Sequence, residues 1–156
     1  MNKLLTLLTM VVIFTTQVNA QESANAPAHN NSIGVRLGPS TPVIKSGITF
    51  QHFLNDSHAI EAIASFGDGF ALCGLYEIHK PLATENLKWF IGAGGYAGFS
   101  NKNSYIGAAG IVGLQYDFNA QNIPLNISLD WKPELNIVEK VGFEASAVGF
   151  SARFTF

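Results

Sequence analysis

Few side chains in this sequence could do covalent chemistry. They are the histidines His29, His52, His58 and His79, the lone Cys73, and scattered serines and carboxylates. Serine-type hydrolysis needs a hydroxyl nucleophile, an imidazole base and an acid that orients the base. His29 falls in a polar leader and His58 in a turn. His52 and His79 fall on strands, on opposite faces, with Glu77 two residues before His79. One cysteine permits no intrachain disulfide and makes no metal site. No HExxH, CxxC, nucleophile elbow or phosphate loop is present, and GAGG at 92–95 has no helix after it. The reading is therefore of structural histidines, with no catalytic residue, no cofactor and no metal.

The chain has 156 residues, enough for one domain. Charged residues make up 13%, against about 25% in an ordinary globular protein. The net charge of −2 gives no basis for binding nucleic acid. Lys3, the apolar run Leu4–Phe14 and the small-residue site Val18-Asn19-Ala20 make residues 1–20 a secretory signal peptide. That run is too short for a spanning helix, which needs about 20 residues. Residues 21–31 read as a flexible polar leader and 32–156 as the folded domain.

What could position any site is set by Leu125–Ile137, LNISLDWKPELNI. Leu125, Ile127, Leu129, Trp131, Pro133, Leu135 and Ile137 alternate with Asn126, Ser128, Asp130, Lys132, Glu134 and Asn136. A strand sends successive side chains to opposite faces, so one face is apolar and the other strongly polar. Pro133 weakens the strand locally because it removes a ladder donor. The pattern recurs over Ser32–Gly38, Ser46–Leu54, His58–Phe66, Phe70–Lys80, Leu87–Phe99, Tyr105–Phe118 and Gly142–Phe156, with Ile63 out of phase. Short polar connections such as Asn55-Asp56-Ser57 and Gly67-Asp68-Gly69 separate these runs. The expectation is an all-β chain: an eight-stranded antiparallel up-and-down transmembrane barrel with a filled interior.

Period-2 patterning does not say which face points in. Several strands are long enough for a transmembrane strand of about 9–11 residues. The non-apolar face is rich in Gly and Ala with scattered charges, which suits the narrow lumen of an eight-stranded barrel. With the N-terminus periplasmic, Tyr76, Trp89, Tyr116, Phe118, Phe154 and Phe156 gather at the periplasmic rim. Phe66, Phe70, Phe99 and Trp131 lie toward the other. Such aromatic girdles flank a lipid-facing band, and a closed barrel satisfies its backbone in lipid.

The chain ends on Phe156, with Phe154, Ala152 and Phe150 at alternating positions before it. Signal peptide, alternating strands and a terminal-Phe strand together resemble the OmpA/OmpX-type outer-membrane barrels of Gram-negative bacteria. The resemblance covers roughly residues 32–156. It implies residence in the bacterial outer membrane among lipid and lipopolysaccharide, and a monomer. It also implies recognition of Phe154 and Phe156 by the barrel-assembly machinery. Family members often carry long external loops. Here Pro39–Lys45, Gly67–Gly69, Ser100–Ser104 and Val138–Val141 are all short, so a loop-borne adhesin role does not follow.

The non-enzymatic reading is of a structural or surface-interaction protein. One alternative is a lipid A-modifying barrel enzyme, but that needs a site at the outer leaflet, away from these histidines. Another is a soluble periplasmic lipocalin-like binder with its apolar faces inward. A porin-like pore is disfavoured, because such channels use about 16–18 strands. Arg36, Glu77, Lys88, Asp117, Asp130, Lys132, Glu134 and Arg153 are expected to form a structural charge network in the lumen. Within it Lys88 is expected between Glu77 and Asp117 near the periplasmic end, joined by Arg153 or His79. Hairpin midpoints inside Pro81–Asn86 and Ser100–Ser104 would place them so.

Overall fold

The computed structural model describes residues 30–39, 43–67, 69–84, 86–100, 103–138, 141–145 and 147–156. The expected signal peptide, most of the leader and His29 lie outside the described residues. Alternation builds the strands β1 (Asn31–Leu37), β2 (Gly47–Asn55), β3 (His58–Phe66), β4 (Gly69–Thr84), β5 (Leu87–Ser100) and β6 (Ser104–Asp117). It also builds β7 (Leu125–Trp131), β8 (Glu134–Asn136), β9 (Gly142–Glu144) and β10 (Val148–Thr155).

Every pairing is antiparallel. Each strand from β1 to β6 pairs with the next in sequence. β6 pairs with both β7 and β8, β10 with β7, and β9 with β8. β10 then returns to β1, where Ser32 faces Thr155 and Leu37 faces Phe150. β7 and β8 are one stave interrupted at Lys132–Pro133, and β9 and β10 are one stave interrupted at 145–147. The ring is therefore a closed eight-stranded antiparallel barrel, as expected. The long runs Leu125–Ile137 and Gly142–Phe156 are less regular than their alternation suggests. Pro133 has no N–H for the ladder, and the pairing breaks between Trp131–Val148 and Glu134–Glu144. The Trp131 indole N–H bridges this break by donating to the Ala145 carbonyl.

Turn chemistry fixes the end that carries Asn31 and Phe156, here called the terminal end. Asn55 Oδ1 accepts the N–H groups of Ser57 and His58, each at 3.0 Å, an Asx turn of the kind Asn favours. A 3₁₀ turn, Phe118–Gln121, ends at Asn122 with φ 58°, a left-handed conformation that Asn tolerates. The backbones of Asn31 and Phe156 bond each other in both directions, at 3.1 and 2.8 Å.

The apolar face points out. Leu129 is 55% exposed whereas Asp130 beside it is 3% exposed. Ile33, Val35, Ile48, Leu72, Ile106 and Phe154 are exposed on other strands, while Arg36, Glu61, Glu77, Lys132 and Arg153 are buried. This is the reverse of the lipocalin-like alternative. Ile63, the residue out of phase, points inward. It joins Leu75, Phe90, Tyr96, Ile111, Cys73 and the loop residue Ile44 in a buried apolar cluster.

Candidate functional site

The lumen holds the charged side chains, and cross-strand register decides which of them meet. Arg36 of β1 reaches over the seam strand β10 to Asp130 of β7. Nη1 and Nη2 donate to the two carboxylate oxygens, each at 2.6 Å, and Ser151 Oγ lies 3.5 Å from Nη1. Gly149 of β10 makes this reach possible: a Cβ there would lie 2.1 Å from Arg36 Nη2 and 2.4 Å from its Cζ.

Nearer the terminal end, Arg153 of β10 pairs with Glu61 of β3. Its Nε donates to Thr49 Oγ1 at 3.1 Å and its Nη1 to Ser128 Oγ at 3.0 Å. Glu77 on β4 accepts from Gln51 Nε2 at 2.9 Å, and the same Oε2 lies 2.9 Å from His79 Nε2. The His79 ring is held between Phe53 and Phe90, each centroid 4.9 Å away. Lys88 and Asp117 pair at 3.6 Å and are partly exposed; the Lys88 ammonium also sits 5.2 Å from the Phe53 ring centre. Toward the other end, Lys132 pairs with Glu134. Glu134 Oε2 also accepts the Val43 N–H at 2.8 Å, and Oε1 the Ile44 N–H at 3.2 Å.

The expected row of Glu77, Lys88 and Asp117 is therefore corrected. Lys88 meets Asp117 but not Glu77. β4 runs on through the expected turn Pro81–Asn86 to Thr84, which pairs with Leu87. That slides the register so that Glu77 faces Gly92 and Lys88 faces Pro81. Glu77 Oε2 meets His79 and Gln51 instead, and Arg153 is drawn away to Glu61. Glu61 was absent from the expected network, although its polar parity within an Ala- and Ile-rich strand marked it as inward. Thr49 and Gln51 carried the same mark on β2.

Among the described residues, three histidines make side-chain contacts. His52 Nδ1 lies 2.8 Å from Asn31 Oδ1, and His58 Nδ1 lies 2.7 Å from the Tyr76 hydroxyl. His79 is fully buried against Glu77. These three contacts sit toward the terminal end. At the opposite end a cavity of about 200 Å³ opens beside Val43, Lys45, Phe66, Phe70, Phe99 and Tyr105.

This closed barrel can be set beside known structures. Among solved structures it is similar to the N-terminal β-barrel domain of Pseudomonas aeruginosa OprF. The identity is 15% and the TM-score 0.62, with 82% of this chain and 98% of that chain covered. The two share a fold. No protein-family model and no curated protein matches the chain. What the chain does must therefore be read from its own surfaces and lumen.

Proposed function

We propose that the chain is a non-enzymatic integral barrel of the bacterial outer membrane, with a structural or surface-interaction role. The observation that carries this reading is the inside-out distribution of polarity. Apolar side chains cover the outside of all eight staves, and ionic side chains are buried within. In water this arrangement would leave a large apolar surface unburied and confine charges at a desolvation cost. In a bilayer the same surface is solvated by acyl chains, and the closed ladder satisfies the backbone.

The terminal end is the periplasmic end in this reading. Tyr116 and Phe118 pack at 4.7 Å between centroids, and Phe154 and Phe156 at 6.4 Å. They form one aromatic belt, and Phe66 with Phe70, at 5.6 Å, contributes to the other. The leader sequence supports export by a cleaved signal peptide. The terminal Phe154 and Phe156 support insertion by the barrel-assembly machinery, as a monomer among outer-membrane lipid and lipopolysaccharide.

Cell fractionation tests the proposal. The protein should sediment with the outer membrane, resist alkaline washing and need detergent for extraction. Unheated samples should migrate differently from boiled ones on a denaturing gel. Recovery in the soluble periplasmic fraction would overturn it.

A further inference from the structure

The described part of the loop between β1 and β2 that precedes β2, residues 43–46, does not stand away from the barrel. Ile44 is 1% exposed and packs in the apolar cluster of Ile63, Cys73, Leu75, Tyr96 and Ile111, with Val43 against it. This cluster lies beside the Lys132–Glu134 pair and extends down to Phe90, which stacks on His79. The loop's stems are tied by Ser46, whose Oγ accepts the Gly38 N–H at 3.2 Å and donates to the Gly38 carbonyl at 3.3 Å. The tip residues that are described, Val43 and Ile44, are held by Glu134 through the two amide bonds given above, while Lys132 pairs with the carboxylate.

Space has been left for the tip. A Cβ at Gly98 would lie 2.8 Å from Val43 Cγ1 and 3.2 Å from Ala71 Cβ. The cavity of about 200 Å³ adjoins the same segment, with Val43 and Lys45 among its walls. The segment is thus fastened on one side by Glu134 and on the other by Ser65, whose Oγ accepts the Lys45 N–H at 2.8 Å beside the cavity.

From this geometry we infer that Val43–Lys45 is a stopper. It closes the loop-end mouth of the lumen, is latched by Glu134 and Ser65, and keeps water from the apolar cluster around Cys73. The inference goes beyond the outer-membrane reading and assigns the loop-end mouth to the cell surface only through it. The stopper itself does not depend on that assignment.

The chain carries its own reporter. Cys73 is the only cysteine, points inward, and is buried in the cluster that Ile44 completes. The alkylation rate of Cys73 by iodoacetamide is measured on protein folded in detergent micelles. Both mouths then face water, so the result is independent of the membrane reading. The folded state of each sample is checked by gel mobility before heating. Wild type should react at least tenfold more slowly than urea-unfolded protein. Ile44→Ser removes the apolar plug, and Gly98→Ala crowds Val43 out without touching a charge. Each should raise the folded-state rate at least tenfold over wild type. Asp117→Asn, at the far mouth, should leave it unchanged. The stopper is rejected if folded wild type reacts as fast as unfolded protein. It is also rejected if Ile44→Ser and Gly98→Ala both react at the wild-type rate, or if Asp117→Asn accelerates alkylation as much as they do.

Discussion

Replacing Asp130 with Asn strikes the most completely buried two-pronged ion pair in the lumen. Both Arg36–Asp130 bonds measure 2.6 Å, and the two side chains are 2% and 1% exposed. A hydrogen bond to a charged group contributes about 1.5–3 kcal/mol. Asn keeps one acceptor oxygen, but the substitution leaves an enclosed guanidinium without its carboxylate partner. Breaking a buried pair from one side costs about 3–5 kcal/mol. Asp130→Asn should therefore lower unfolding free energy by about 3–5 kcal/mol, measured by urea titration of the barrel folded in lipid vesicles. Arg36→Met with Asp130→Leu removes both charges, and such replacements are often neutral or stabilising by about 1–4 kcal/mol. The double variant should thus recover most of the loss. Lys88→Met supplies the reference: its pair with Asp117 is 3.6 Å long and 22% and 17% exposed, for which about 0–1 kcal/mol is expected. If Asp130→Asn costs no more than Lys88→Met, the buried, enclosed character assigned to the pair is wrong.

Other substitutions probe neighbouring parts of the same reasoning. Leu129→Arg puts a charge on the outward face and should cost about 2–4 kcal/mol in vesicles if it lies near the bilayer midplane; a neutral result in the same titration would contradict the parity assignment. Gly149→Ala sets a methyl group against the Arg36 guanidinium and should cost about 1–3 kcal/mol by overpacking, much of it recovered when Arg36→Met is added; additivity of the two substitutions would refute the contact. Replacing Phe154 and Phe156 together with Ser should cut the yield of assembled barrel in cells, read as the fraction with heat-modifiable mobility, and unchanged yield would remove their role as an assembly signal.

Much of the fold was legible because alternation is local. The seven-residue run Asn126–Lys132 already sorted Leu129 outward and Asp130 inward, and Ile63 broke phase because the lumen has an apolar half to fill. Register was less legible, because it depends on where a hairpin turns. Placing the turn at Pro81–Asn86 rather than beyond Thr84 moved Lys88 from Pro81's partner to Glu77's, and the expected charge row failed there. Partners far apart in sequence were out of reach. Nothing local says that Arg153 takes Glu61, or that Arg36 crosses β10 at Gly149. The stopper was hidden for another reason. Pro39–Lys45 has the composition of a surface connection, and Glu134, Ser65 and the space beside Gly98 hold Val43–Lys45 inward.

The central claim is that the outward apolar face meets acyl chains, and the two tryptophans report on it without any substitution. Trp89 and Trp131 both lie on that face, and Trp131 is 43% exposed. Tryptophan fluorescence is measured for the protein folded in vesicles whose acyl chains carry bromine, and again in ordinary vesicles with iodide in the water. The expected result is strong quenching by the brominated chains and weak quenching by iodide. Strong quenching by iodide with none from the brominated chains would place the apolar face in water and contradict the account.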